Sequence, residues 1–167
     1  MKLLVDLKER SYNIYIERGI ISKISEYINL NRKVMIICDC NVPSHFATSI
    51  ASQCKEAYIQ FVKDGEQSKS FTTFEFLCTT LLNHHFTRKD LIIALGGGVI
   101  GDLSGYVAAS YMRGIDFIQV PTTTLSQIDS SIGGKVAINL GQVKNIVGAF
   151  WQPKAVFIDG SLTVCFP

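Results

Sequence analysis

Two stretches of the chain hold residue types that could do chemistry on an anion. In the first, Gly96, Gly98 and Gly101 satisfy G-x-G-x-x-G. Between a strand and a helix, that spacing leaves bare backbone N–H groups and a helix N-terminus able to hold a pyrophosphate. In the second, cations stand beside glycines and small polar residues: Arg113-Gly114, Thr122-Thr123, Asp129-Ser130-Ser131, Gly133-Gly134-Lys135 and Lys144-Asn145. Arginine grips phosphate or carboxylate oxygens bidentately and lysine acts as a point charge, so Arg113, Lys135 and Lys144 suit a small polyanionic substrate. Each feature has a plainer reading. The glycines could serve only backbone conformation and helix–sheet contact, and each cation could be a solvated surface charge. An ordinary Rossmann dehydrogenase is disfavoured, because its ribose-binding acid closes the strand after the glycines, whereas Asp116 precedes the next apolar run and two strand–helix units lie upstream.

The remaining reactive types form no constellation. His45, His84 and His85 have no spaced carboxylates and read as surface or helix-end residues. The 5 cysteines are odd in number and contain no C-x-x-C pair, which excludes a disulfide framework and a zinc ribbon and points to reduced thiols in the core. Cys38 and Cys40, two apart, would share one face of a strand, but no further soft ligand follows at metal spacing. No metal site is expected. Phe150 and Trp151 read as packing residues.

The elements that must carry these residues alternate between apolar runs and amphipathic stretches, the pattern of an α/β fold with a largely parallel sheet, Rossmann-like. Residues 3–7 and 12–16 read as a strand pair that can sit apart from the main sheet, followed by a helix over 20–30. Residues 34–38 and 91–95 are continuous apolar runs, as in strands buried on both faces. Residues 56–62, 117–120 and 155–158 supply further strands, and helices are expected over 42–54, 71–86 and 103–111. The 71–86 helix would bury Phe74, Leu77, Leu81 and Leu82. Thr122 is the expected cap of a helix running through Gln127 and Ile128.

Composition bounds the function class. The 167 residues are 47% apolar and only 18% charged, which suits one compact domain and excludes a disordered chain. A net charge of +2 gives no field that would mark a nucleic-acid or membrane-surface binder. The N-terminus becomes charged before an apolar signal region could form, so a cytoplasmic protein is expected. Residues 91–112 are poor in charge but too rich in glycine for a membrane span.

Taken together, Leu95-Gly96-Gly97-Gly98-Val99-Ile100-Gly101-Asp102, Tyr111-Met112-Arg113-Gly114-Ile115, Pro121-Thr122-Thr123, the run from Gln127 to Lys135, Lys144-Asn145-Ile146-Val147-Gly148-Ala149-Phe150 and Asp64-Gly65-Glu66-Gln67-Ser68-Lys69 resemble 3-dehydroquinate synthase. The resemblance covers nearly the whole chain. It implies an NAD-dependent lyase of the shikimate pathway that converts 3-deoxy-D-arabino-heptulosonate 7-phosphate into 3-dehydroquinate and phosphate, with a divalent metal, zinc or cobalt. It also implies NAD contacts at Asp39, Asn41, Asp64, Gly65, Glu66, Lys69, Gly97, Gly98, Val99, Ile100, Gly101, Asp102, Thr122, Thr123 and Leu125. Arg113, Asp129, Lys135, Lys144 and Asn145 are implied as substrate-pocket residues, with Lys135 and Lys144 touching both ligands. A homodimer is expected of the full-length family. Members are roughly twice as long, and their second, mostly helical domain carries the Glu and two His that bind metal. Residues 1–167 are therefore expected to be the NAD-binding N-terminal domain, without turnover by itself. Val164-Cys165-Phe166 departs from the family's Leu-x-Thr-Leu-Pro segment, which suggests a frameshift, premature stop or incomplete gene model. The alternatives are another sugar-phosphate cyclase, a polyol dehydrogenase relative, or a non-catalytic NAD-binding fragment.

Overall fold

The structure, a computed structural model, describes residues 1–162; the departure at 164–166 lies outside them. Its strands are β1 (Lys2–Val5), β2 (Tyr12–Ile16), β3 (Lys33–Asp39), β4 (Glu56–Val62), β5 (Leu91–Gly96), β6 (Asp116–Pro121), β7 (Lys135–Leu140), β8 (Val143–Phe150) and β9 (Ala155–Ile158). The helices are α1 (Ser44–Ala51), α2 (Phe71–Asn83) and α3 (Gly98–Ser110). Seven strands form one sheet in the order β1-β2-β9-β6-β5-β3-β4, with only β1 antiparallel to its neighbour. The N-terminal pair does not sit apart. Asn13 to Ile16 register with Ala155 to Ile158, so β2 continues the parallel sheet.

Alternation along β3 divides the core between two faces. Val34, Ile36 and Cys38 pack under α1 and the 3-10 segment Ile20–Glu26, while Met35 and Ile37 pack under α2 and α3. Burial pushes the Cys38 thiol up to about 12, with the charge of Asp39 adding to the effect; Cys40 lies past the strand end and is exposed, so the two thiols do not share a face. From β3 the chain steps outward through α1 to β4 at the sheet edge. It then returns through α2 to β5 on the other side of β3. The carboxyl ends of β3 and β5 thus adjoin where the winding reverses, the point at which open α/β sheets bind ligands.

Local chemistry explains where elements differ from expectation. The 20–30 segment is a 3-10 turn ending at Glu26, broken at Lys23, where φ is −140°. It starts from the left-handed Gly19 and includes the β-branched Ile20, Ile21 and Ile24, which lower helix propensity. Pro43 stands at the N-cap position of α1 with a non-helical ψ of 126° and no side-chain cap, and the helix begins at Ser44. On α2, Leu77 and Leu81 are buried but Leu82 is 65% exposed, outside the stripe. Thr123, not Thr122, caps the turn after β6: its hydroxyl accepts the Ser126 N–H at 3.2 Å.

The pair β7–β8 forms a second, two-stranded sheet with no counterpart in the sequence reading. It lies on α3 through Val136, Ile138, Val147 and Ala149. Close approach depends on Gly105, where a Cβ would stand 2.3 Å from Val136 Cγ1 and 3.2 Å from the Phe117 ring. Helix propensity alone would favour Ala by about 1 kcal/mol, but overpacking against a stiff β-branched side chain costs about 1–3 kcal/mol. Gly105→Ala should therefore lower unfolding free energy in urea, and adding Val136→Ala should recover part of that loss in a double-mutant cycle.

Asp159 anchors the other face. Its fully buried carboxylate accepts the N–H groups of Gly19, Ile21 and Ser161 and the Ser161 hydroxyl, at 2.6–3.3 Å. Burial alone would favour its neutral form, but these donors together hold the carboxyl below the usual carboxylate range. Because the folded value is depressed, this stabilisation is present above the unfolded value of about 4 and is lost as pH falls through the folded one. Asp159→Asn should cost about 1–3 kcal/mol at pH 7. It should also flatten the decline in stability below about pH 4, read by urea titrations across that range.

Candidate functional site

The turn from β5 into α3 opens directly on the winding reversal. Gly96, Gly97 and Gly98 have no positive φ, so they are not there for a left-handed backbone. They are there for contact: a Cβ at Gly96 would stand 2.8 Å from the Ile100 side chain and 3.2 Å from the Asp39 Cβ, one at Gly97 3.1 Å from Thr123, and one at Gly98 2.9 Å from the Ser130 hydroxyl. The three chain segments that end at this edge can therefore close on the turn. The N-terminus of α3 carries no side-chain cap and no acidic residue in its first turn, which leaves its N–H groups and partial positive charge for an anion. Thr122, fully buried beside Gly96 with its N–H bonded to the Gly96 carbonyl at 3.0 Å, has a hydroxyl with no partner. Asp39 ends β3, and one of its oxygens accepts the Asn41 N–H at 2.9 Å.

One turn into α3, Asp102 receives the Lys69 ammonium at 2.7 Å. Lys69 is 3% exposed and donates also to the Asn145 side chain, with Glu66 at 3.9 Å. Burial pushes the Asp102 carboxyl above the ordinary range; the bond and charge of Lys69 oppose this, while Glu66 adds to it. The loop at residues 64–69, helix α3 and the hairpin thus meet at one buried cation. Beside them a cleft of about 570 Å³ is lined by Asp102, Asp129, Ser130, Lys135 and Asn145, with Ile146 and Phe150 on its wall. Asp129 reaches it from a π turn, Ser126–Ser130.

The fold is shared with known proteins. The profile of the 3-dehydroquinate synthase N-terminal family matches residues 59–166. The chain belongs to that family. It is 45% identical to a curated 3-dehydroquinate synthase of Clostridium botulinum (strain Alaska E43 / Type E3), over 98% of this chain and 49% of that protein. The structure is similar to 2-deoxy-scyllo-inosose synthase solved with carbaglucose-6-phosphate, NAD+ and Co2+, with a TM-score of 0.91 and 28% identity, covering 98% of this chain and 47% of that one. The fold also matches ValA, the 2-epi-5-epi-valiolone synthase of Streptomyces hygroscopicus subsp. jinggangensis 5008 solved with NAD+ and Zn2+, at TM-score 0.83 and 24% identity over 96% of this chain and 46% of that one. The chain spans about half the length of the curated 3-dehydroquinate synthases it matches.

Of the residues singled out by resemblance to the 3-dehydroquinate synthase family, the structure gathers most at one edge. Asp39 closes β3 and Asn41 follows it, residues 64–69 follow β4, Gly97, Gly98 and Gly101 follow β5, and Thr122, Thr123 and the 71%-exposed Leu125 follow β6. Asp129, Lys135 and Asn145 meet in the cleft, with Lys144 exposed next to it. Arg113 does not join them. Helix α3 runs antiparallel to the strands, so a residue just past its C-terminus lies at the opposite edge, about 20 Å away for thirteen residues. Met112 and Arg113 adopt φ of 49° and 66°, and Trp151 packs against Gly114 there, its indole N–H donating to the Ile115 carbonyl at 3.1 Å.

Sequence reasoning missed the hairpin and with it Asn139. The signal was present: Val136 and Ile138 alternate with smaller or polar residues, and a two-residue turn at Gly141 and Gln142 separates the paired Leu140 and Val143. Among the described residues, no three His, Cys, Asp or Glu side chains converge to hold a metal, and no helix is long and apolar enough to cross a membrane. His45 and His85 are exposed, and His84 caps α2.

Removing one partner of a buried ion pair strands the other. Because the Asp102 side chain keeps 21% exposure, Lys69→Met should cost about 2 kcal/mol, below the roughly 3–5 kcal/mol of a fully buried pair. Urea denaturation should detect that loss, and Lys69→Met combined with Asp102→Asn should recover part of it. A loss within error would mean that the ion pair does not hold the three segments together.

Proposed function

We propose that the chain is the cofactor- and anion-holding half of a 3-dehydroquinate synthase, acting in the NAD-dependent conversion of 3-deoxy-D-arabino-heptulosonate 7-phosphate into 3-dehydroquinate and phosphate. The observation that carries this reading is the uncapped α3 N-terminus opening beside the cleft that joins Asp129, Lys135 and Asn145. The names of the curated relatives, and the NAD+ and phosphorylated sugar analogue held by 2-deoxy-scyllo-inosose synthase, support it. The higher identity to curated 3-dehydroquinate synthases favours this substrate over that of the other cyclase.

The residues present suit NAD. The first-turn amides of α3 at Gly98, Val99 and Ile100, with Gly97 before them and Gly101 within the turn, are assigned to the pyrophosphate, and the partnerless Thr122 hydroxyl donates beside them. Asp39 and Asn41 hold the ribose side, and Asp64, Gly65 and Glu66 close the loop over it. Bound NAD supplies a reversible hydride transfer. Lys135 and Lys144 attract the substrate's anionic groups as point charges, and Asp129 orients a hydroxyl by accepting its proton in a hydrogen bond. Residues for the divalent metal are not found among those described, so no step is assigned to it. This chain by itself should bind cofactor without turnover. A cytoplasmic setting belongs to the same reading, supported by the free thiols of Cys38, Cys40, Cys54 and Cys78.

Calorimetric titration of NAD into the purified chain tests the proposal. Saturable binding is expected, weakened about tenfold by Lys144→Ala, the scale of one charge-assisted contact. Assays of the same sample with substrate and metal should give no 3-dehydroquinate. A folded chain that takes up no NAD would overturn the cofactor reading, and product above blank would overturn the inference of inactivity.

A further inference from the structure

Asn139, on β7, lies outside every residue set assigned so far, yet its carboxamide is used on both sides. The Oδ1 atom accepts the backbone N–H of Asn145 at 2.9 Å. The Nδ2 group donates to Glu66 Oε1 at 2.9 Å and to the Glu66 carbonyl at 3.4 Å, and the Asn139 N–H donates to the Lys69 carbonyl at 2.8 Å. These partners fix the orientation of the amide, since a backbone N–H requires an acceptor and a carboxylate requires a donor.

Its partner Asn145 has φ of 56°, a left-handed conformation that asparagine tolerates but that persists only where the surroundings impose it. The side chain of Asn145 in turn accepts from the Lys69 ammonium. A closed circuit results, from Glu66 through Asn139 and Asn145 to Lys69 and back along the loop. An ionised carboxylate at this register could not complete it, because one edge must donate to Glu66 while the other accepts from an N–H.

We propose that Asn139 is a positioning residue that fixes residues 64–69 relative to residues 144–145, so that the cofactor loop and the anion-binding strand are set as one unit. Its functional half rests on the NAD reading above; the positional half rests on the hydrogen bonds alone.

Two variants separate these halves. In Asn139→Ala, amide hydrogen exchange followed by NMR should accelerate about tenfold at Asn145 and across residues 66–69, with core amides such as Ile37 and Ile93 unchanged, and NAD affinity should fall about tenfold. In Asn139→Asp, the ionised carboxyl faces Glu66 without a proton to donate. Protonation restores an O–H donor and a carbonyl acceptor; repulsion from Glu66 raises the pH at which this occurs, and the Lys69 ammonium, 3.9 Å from Glu66, acts against it. Protection at Asn145 and NAD affinity should therefore recover in Asn139→Asp as pH falls from 7 to about 4, relative to the native chain at each pH, while Asn139→Ala stays flat. That recovery would not follow from packing alone. Unchanged exchange at Asn145 in Asn139→Ala, or no recovery in Asn139→Asp, overturns the positioning role. Accelerated exchange with native NAD affinity overturns the coupling to cofactor. A native chain that binds no NAD removes the cofactor reading instead, with the exchange data still deciding the positional claim.

Discussion

Burying the ammonium of Lys69 is the constraint around which the rest of this edge is arranged. Withdrawing such a charge from water costs several kcal/mol unless oxygen atoms replace the lost hydration. The replacements come from three separate segments: Asp102 from α3, Asn145 from β8 and Glu66 from the lysine's own loop. None of these segments pairs with another through backbone strand hydrogen bonds in the main sheet. Their common register is set, together with the Asn139 hydrogen bonds, by one cation that tolerates little displacement, because each ångström of separation would leave a buried charge underpaired.

The same pairing shapes the field at the helix start. An unpaired carboxylate one turn into α3 would repel an approaching phosphate and offset the partial positive charge of the helix end. With Lys69 at 2.7 Å from Asp102, that repulsion is largely neutralised, and the uncapped amides face the winding reversal, where Asp39 ends β3. Lys135 is exposed on the cleft wall and Lys144 is exposed beside it, so the cations available to an incoming anion are not those already committed to structure.

How much of this could be read in advance follows from what is local. The strands at Val34 to Cys38 and Leu91 to Leu95, the glycine turn and the α/β class all announce themselves through short-range pattern, and the structure carries them. The glycines were legible as a motif but only partly in their purpose: Ile100, which crowds Gly96, is local, whereas the side chains of Asp39, Thr123 and Ser130 that crowd the three glycines are distant in sequence. Arg113 looked like a companion of Lys135 because both stand beside glycine; only the direction of α3 separates them. The hairpin was hidden because Lys135 and Lys144-Asn145 drew attention as charges, masking the alternation of Val136 and Ile138 between them. Asn139 had no signature at all. Its role depends on a left-handed backbone six residues away and on Glu66, more than seventy residues earlier.

The strand order also governs when the sheet can form. The hairpin β1–β2 has one inward neighbour, β9, and β9 is the bridge from it to β6. As the chain leaves a ribosome, β3 to β6 can assemble in turn, but the first two strands must wait, with Tyr12 and Ile14 uncovered, until residues 155–158 have been made. Pairing across so long a stretch of sequence is slow, and the waiting edge is open to mispairing. A pair of strands synthesised before β3 to β6 is thus among the last to reach its native position.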